Sequence, residues 1–476
     1  MHKDNATVAI VAAELPARPR PLRWRLFLVG GSAGTLFGYS IVVSNDAIEP
    51  IRQQYSLSGW AVGTVVSSLI AGALIGCLIA GRFVDRHGHR LVLGVAGVVA
   101  ATGSIVSALA PGAPTITIGR LILGAAVGVT TAVAPTYIGE IAHVRNRGAM
   151  MAGYQFSIAL GFLLSLTVGA ILSFGDHQWR IMLAANAIPA LVQAATMARV
   201  PSSPYSLVAR GFVDQARESL MATRHPDEVA AELESIVSAH QRHDQTDIGT
   251  QATSLLRPIM IAMGAALMDT LVGICVIVPY STAVFAMAGV GGRAGAEVAS
   301  WSIGVVDVIS TVVAMGLLTR YGRRPLLTVG LIGIIVALLA TSVGLVESAS
   351  TYAAIITIVA MLTFMACHAF SVGPIGWLLV AEVLPARIRS RGSGAAIGVN
   401  WLANLLVALL FPILVGSPGV PYRAAIGFLA FAVISAGFLI FVRVCVPETR
   451  GLSLAEVEAK FAARTAKPER HGQPAS

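Results

Sequence analysis

Long apolar runs alternate with short polar breaks along almost the whole chain. Apolar segments bounded by charges or Gly/Pro turns fall at 26–44, 59–80, 91–110, 115–137, 149–173, 181–199, 257–279, 299–318, 325–346, 351–380, 393–415 and 424–445. About 20 apolar residues in a helix cross the hydrocarbon core of a bilayer, so the pattern predicts twelve membrane-spanning helices. The stretch 200–256 is different: VDQARESL and DEVAAELESIV are polar, charged and helix-patterned, and predict short interfacial or cytoplasmic helices between two six-helix halves. The first 22 residues hold only a short apolar run, Val8 to Ala13, so a flexible tail is expected there rather than a cleaved signal peptide.

Composition sharpens this. The chain has 476 residues, 55% hydrophobic and only 12% charged, where soluble domains carry roughly 25% charged residues. Its mean hydropathy is +0.76. A soluble enzyme is excluded. The 48 glycines do not signal disorder, because small residues let membrane helices approach closely. Cys77, Cys275, Cys367 and Cys445 lie in apolar stretches without paired or metal-type spacing, so no disulfide framework, metal site or cofactor is expected. Neither a phosphate-cradling GxxxxGK[ST] motif nor a nucleophile elbow appears, which argues against an enzyme and against a pump with its own ATPase.

The net charge of +9 could suggest nucleic acid, but the placement of the basic residues points to topology instead. Alternate loops hold Arg82, Arg86 and Arg90; Arg145 and Arg147; Arg320, Arg323 and Arg324; Arg387, Arg389 and Arg391, whereas the opposite loops hold only Arg52, Arg180, Arg293 and Arg423. This positive-inside asymmetry puts both termini and the 200–256 connection in the cytoplasm. No nucleic-acid partner is expected; the lipid bilayer is.

Three motifs recur in the same order in both halves. GRFVDRHGHR at 81–90 is echoed by LLTRYGRR at 317–324, EIAHVRNRG at 140–148 by EVLPARIRSRG at 382–392, and VPSSP at 200–204 by VPETR at 446–450. The offsets from Arg86 to Arg320, Glu140 to Glu382 and Pro201 to Pro447 are 234, 242 and 246, which favours an internal duplication. The expected organisation is a tail at 1–22, a six-helix bundle at 23–200, a helical linker at 201–256, a second six-helix bundle at 257–446 and a tail at 447–476. Every motif falls at a predicted cytoplasmic helix end. Gly81, Asp85, Arg86, Gly88, Arg90, Glu140, Arg147, Arg320, Gly322, Arg323, Arg324, Glu382, Arg391 and Glu448 are therefore candidates for interfacial contacts that break and reform in a two-state machine.

These motifs carry a resemblance. From LFGY at 36–39 to VPETRGLSLAEVE at 446–458 the chain resembles the sugar porter family of the major facilitator superfamily. The most specific stretch is 119–148, with the spacing of Gly124, Gly128, Tyr137, Glu140 and Arg147; Gln155, Trp179-Arg180, GPIGW at 373–377 and Asn400-Trp401 agree as well. The resemblance implies an all-α membrane fold of two pseudo-symmetric six-helix bundles around a central cavity that opens alternately to either side. It implies solute contacts from Gln155, from Gly373 and Trp377 in the GPIGW motif, from Asn400 and Trp401, and from an aromatic wall at Phe37. Amides supply donors and acceptors for hydroxyls, and aromatic faces cover the C–H side of a pyranose or cyclitol.

Span seven departs from the family, which has two adjacent glutamines, then an asparagine and two tyrosines; here those positions read Asp269, Thr270, Cys275, Pro279 and Tyr280. Asp269 and Thr270 remain candidates for solute contact, and Pro279 is expected to break the helix beside the cavity. Gly124 and Gly128 read as packing residues.

In proton-coupled members of the family an aspartate follows the Gly-Tyr of span one and faces an arginine in span four. Here the position is Ser40, while the arginine remains as Arg120. Two other carboxylates stand at membrane depth, Asp269 and Asp307, where each costs about 2.5–3.5 kcal/mol. Asp269 is the leading proton carrier, with Asp307 a satisfied group near Thr311 or a second carrier, and Arg120 placed to pair with one of them. His368 reads as a packed, hydrogen-bonded residue ahead of a proton relay; Asp46 and Glu49, at the outer mouth, as solvated.

The resulting expectation is a monomeric secondary transporter of the plasma membrane that moves a sugar, polyol or related hydroxylated solute by alternating access, with proton symport placed ahead of uniport. The alternatives are an organic acid, an amine or a xenobiotic on the same fold, or a transporter-like solute sensor.

Overall fold

The computed structural model describes residues 22–142, 144–172, 178–244, 252–290, 292–347, 350–384, 389–415 and 420–448. The tails expected at 1–22 and 447–476 lie outside the described residues except for Leu22, Pro447 and Glu448, as do the side chains of Arg145, Arg147, Arg293, Thr319, Arg387, Arg389 and Arg391.

Twelve helices are long and apolar enough to cross a membrane, at the positions expected. In the first half these are α1 (Leu22–Val42) continuing as α2 (Ser44–Tyr55), α3 (Gly59–His87), α4 (His89–Ala108), α5 (Ala113–Ile141), α6 (Val144–Leu172), and α7 (Trp179–Ala185) with α8 (Ala187–Met197). The second half comprises α12 (Ala252–Asp269) with α13 (Cys275–Met287), α14 (Gly292–Arg320), α15 (Arg323–Val346), α16 (Thr351–Cys367) with α17 (Gly373–Val383), α18 (Arg389–Val415) and α19 (Pro421–Val444). Between them run α9 (Pro204–Ala209), α10 (Val213–Thr223) and α11 (Pro226–Asp244), where polar helices were expected. Buried Arg224 docks this linker: it pairs with Glu232 at 2.7 Å and donates to the Ile141 carbonyl at the end of α5 at 2.9 Å.

The hydrophobic effect cannot hold such helices together inside lipid, so close packing must. α3 and α5 pack through reciprocal glycines. A Cβ on Gly124 or Gly128 would strike the carbonyls of Leu69 and Ala73, and one on Gly72 or Gly76 those of Leu121 and Ala125. Apolar side chains on the outer surface, among them Val95, Ile188, Val329, Val336 and Val343, stay exposed, as a lipid-facing belt requires. The two halves meet where α3 packs on α18 and α6 on α14.

Two spans of the second half are broken by π turns. Pro279 was expected to break span seven, but the break falls six residues earlier: residues 270–274 form a π turn in which Gly273 takes φ +108°, and Pro279 sits within α13. A side chain with a Cβ is strained at that φ, so only glycine holds the bend cheaply. In span ten, predicted as one helix, a second π turn at His368–Val372 separates α16 from α17. Such π turns gather at functional sites.

The first and last described residues fall on one face of the bundle, called the terminal face below. There the repeated motifs make matched bonds. In the second half Arg323 pairs with Glu382 at 3.1 Å, and in the first half His89 stands 3.6 Å from Glu140. Glu140 also accepts from Ser203. Glu448 accepts from the backbone N–H groups of Arg323 and Arg324 and so caps α15, while Gly322 leaves room for its carboxylate. Gly88, with φ +81°, admits Arg210 in the same way. Arg90 donates to the Met197 and Ala198 carbonyls. Gly81, Asp85, Arg86 and Arg320 are exposed, and the last three make no hydrogen bond or ion pair among the described residues. Those three do not bridge helices in this conformation, because they lie on exposed faces at the ends of α3 and α14.

Candidate functional site

Between the halves lies a cavity of about 30 Å³ lined by residues of α1, α2, α3, α5, α13 and α18, including Ser44, Arg120, Cys275, Pro279, Tyr280 and Asn404. That volume suits a water molecule or two rather than a sugar, so this cavity is closed to a solute in the conformation described. A larger apolar groove, about 320 Å³, faces outward between α6 and α14 and is walled by Thr167, Ala170, Ile171, Val298 and Trp301. It carries no convergent polar groups.

Below the cavity the amides of α18 converge on the bend in span seven. Asn400 Nδ2 donates to the Ala266 carbonyl at 2.7 Å and to Thr270 Oγ1 at 2.8 Å; Asn404 Nδ2 donates to the same hydroxyl at 2.6 Å. Thr270 is fully buried and Asn400 nearly so. Trp401 meets Phe37 across the two halves, ring centroids 5.9 Å apart and planes at 77°. Thus four of the sequence candidates form two contacts, Asn400 with Thr270 and Trp401 with Phe37. Gln155 and Trp377 are half-buried and make no hydrogen bond among the described residues. Gly373 lies farther along span ten, where its bare Cα leaves room for the His368 ring.

Asn404 was not singled out from sequence, although it follows Asn400 by one helical turn and so shares its face. The outer closure was missed too. Buried Asn45 donates to Thr282 Oγ1 at 2.8 Å, to Ser300 Oγ at 3.2 Å and to Asp46 Oδ1 at 2.7 Å, joining α2 to α13 and α14 at the face opposite the termini. Asp46, expected to be solvated, is half-buried in this network, while Glu49 is exposed. Single polar residues at a span end carry no periodic signal, which is why these escaped.

Arg120 does not pair with Asp269 or Asp307. Its guanidinium is buried and donates to the Val65 carbonyl at 3.0 Å and to Ser44 Oγ at 2.6 Å, with no carboxylate in ion-pair reach among the described residues. Ser40, one turn before Ser44, donates to the Leu36 carbonyl and accepts from Asn186 at 2.9 Å. Asp269 instead faces His368, Nε2 to Oδ1 3.3 Å. The imidazole nitrogen is off the line of a hydrogen bond and has no other partner, so His368 is not the satisfied histidine expected. Asp307 is buried and bonds neither Thr311 nor any other described residue.

Comparison with known proteins gives these features a context. The family profile described as sugar (and other) transporter matches residues 26–461. The chain is 33% identical over 449 residues to the major myo-inositol transporter IolT of Bacillus subtilis, covering 92% of this chain and 94% of that one. It is 32% identical to the D-xylose transporter of Levilactobacillus brevis, covering 92% and 96%. The structure of the proton:xylose symporter XylE of E. coli superposes with a TM-score of 0.79 at 26% identity, over 92% of this chain and 99% of that one. With its twelve apolar helices, its matched half-repeats and an amide cluster at the junction of the halves, the chain belongs to the sugar (and other) transporter family of the major facilitator superfamily and is a multi-pass membrane protein.

Proposed function

We propose that the protein carries a sugar, a polyol or a cyclitol across the plasma membrane as a monomer, by alternating access, with the terminal face in the cytoplasm. The observation that carries this reading is the cluster of Asn400, Asn404 and Thr270 beside the central cavity, with Phe37 and Trp401 in contact across the halves. Amides and a hydroxyl that bond one another in the closed state offer donors and acceptors to solute hydroxyls once the halves part. Gln155 and Trp377, without partners now, would add to that set on opening. The names of the relatives, transporters of myo-inositol and xylose, support the same class of solute. One site within one chain needs no second copy.

The test is counterflow in liposomes of the purified protein, with labelled myo-inositol, D-xylose and D-glucose beside organic acids and amines. Saturable exchange of at least one polyhydroxy solute is expected. Exchange confined to organic acids or amines would overturn the assignment, and buried Arg120, with no carboxylate beside it, favours the acids as the second reading.

A further inference from the structure

Two ionisable side chains from two spans meet inside the second half, and a third lies within their electrostatic reach. Asp269 ends α12, Asp307 lies midway along α14, and His368 opens the π turn after α16. His368 Nε2 is 3.3 Å from Asp269 Oδ1, and the ring is close enough to Asp307 to act on its carboxyl electrostatically. Asp307 is 6% exposed and His368 8%. Neither carboxylate makes a hydrogen bond among the described residues, and the buried Nε2 makes none. Phe364 stacks on the imidazole, planes 11° apart, and bare Gly373 backs it, so the ring is held in place.

Two ionised carboxylates and a neutral imidazole in this interior would leave two like charges in a region where one costs about 2.5–3.5 kcal/mol. Bound protons remove that cost, and the three groups supply the acceptors for them. Other ionisable groups are few here. Cys275 lies within electrostatic reach of Asp269, Tyr280 within reach of Cys275, and Arg120 faces Tyr280 across the cavity. On α14, Glu297 and Arg320 sit near the two ends, as Glu382 does on α17; Cys367 turns toward Gly333 of α15, and residues 326–346 and 392–415 contain no charged side chain.

The cluster is also joined to the cavity. Asp269 immediately precedes Thr270, whose hydroxyl is held by Asn400 and Asn404, and the Gly273 bend follows at once. A swing of α13 against α12 therefore alters the solute cluster and the Asp269–His368 contact together.

We propose that Asp269, His368 and Asp307 form a proton-binding site that couples solute movement to a proton, which is held in the closed conformation and exchanged with water when the cavity opens. The proposal rests on the transport reading above. The proton comes from water on one side and returns to water on the other; no other bond forms or breaks.

The experiment records proton uptake and counterflow in the same proteoliposomes, with myo-inositol, D-xylose and D-glucose as probes. With one proton per solute, about 100 mV supports roughly 50-fold accumulation. Wild type should take up protons on solute addition and accumulate the solute. His368→Gln and Asp307→Asn should keep counterflow while proton uptake disappears and accumulation falls toward unity. Absence of counterflow in wild type would overturn the transport reading. Counterflow without proton uptake would leave that reading intact and overturn the proton site, as would full coupling in both variants. Where Asp307→Asn loses counterflow too, Asp307→Glu has to restore exchange and proton uptake together; a glutamate that restores neither, or exchange alone, overturns the proposal.

Discussion

Arg90 and Arg324 occupy equivalent positions of the two halves, and each donates to the carbonyl end of the last span in its own half. Arg90 reaches Met197 and Ala198 at 2.9 and 2.7 Å, and Arg324 reaches Arg443. The last carbonyls of a helix have no partner within it and carry its negative pole, so a cation satisfies both needs. Arg90→Ala and Arg324→Ala should each cost about 0.3–1 kcal/mol by removing a cation from an exposed helix end. Thermal unfolding in detergent checks this, and similar losses for the two variants are expected.

Glu448 belongs to only one half. Its carboxylate accepts from Arg323 N at 3.0 Å and Arg324 N at 3.2 Å, while the equivalent stretch of the first half has Ser202. Glu448→Ala should destabilise by about 0.5–2 kcal/mol, the usual effect of removing a helix cap. Gly322→Ala should do comparable damage with Glu448 still present, because the new methyl group occupies the carboxylate's place. Melting curves of both variants, alone and combined, give the coupling; additive losses would contradict it.

Asn404 donates to the hydroxyl that Asn400 also holds. Asn404→Ala should weaken solute half-saturation by roughly 5- to 150-fold, the equivalent of about 1–3 kcal/mol for a buried polar group left unmatched. Counterflow over a concentration series measures it. An unchanged half-saturation would place the solute elsewhere.

Asn45 closes the face opposite the termini through Thr282, Ser300 and Asp46. Asn45→Ala should favour conformations open on that side. Cys275 lines the cavity and reports the change: in a background with Cys77, Cys367 and Cys445 replaced by serine, its reaction with a membrane-impermeant thiol reagent should speed up about tenfold, the effect of roughly 1.4 kcal/mol on the equilibrium.

Gly128 faces the Ala73 carbonyl across the contact of α3 and α5. Gly128→Val forces the backbones apart and should cost about 1–3 kcal/mol or more, as overpacking does. Gly81→Ala, whose added carbon meets nothing within 4 Å, is the control and should melt like wild type.

The number of spans, the polar linker and the repeat were legible because hydropathy and spacing are local properties. So were Gly124 and Gly128 as packing residues; Asn400 and Thr270 were legible as separate candidates for solute contact, and their mutual hydrogen bond was not. Asn404 was legible in principle, one turn from Asn400. The partner of Arg120 was not: an arginine facing span one can be met by any residue on that face, and the fold offers it Ser44 and a carbonyl rather than an acid.

The sequence by itself therefore determined which residues lie in the membrane, how many times the chain crosses it and that its halves repeat, since each follows from the periodic burial of apolar side chains. Only the tertiary structure decided that Asp269 stands beside His368, that the bend in span seven falls at Gly273 instead of Pro279, and that Asn45 joins α2 to α13 and α14 at the far face. Those facts depend on which helix faces meet across tens or hundreds of residues. Lateral packing sets that, and in lipid it is governed by close contacts between small residues that leave little trace in the hydropathy of any one helix.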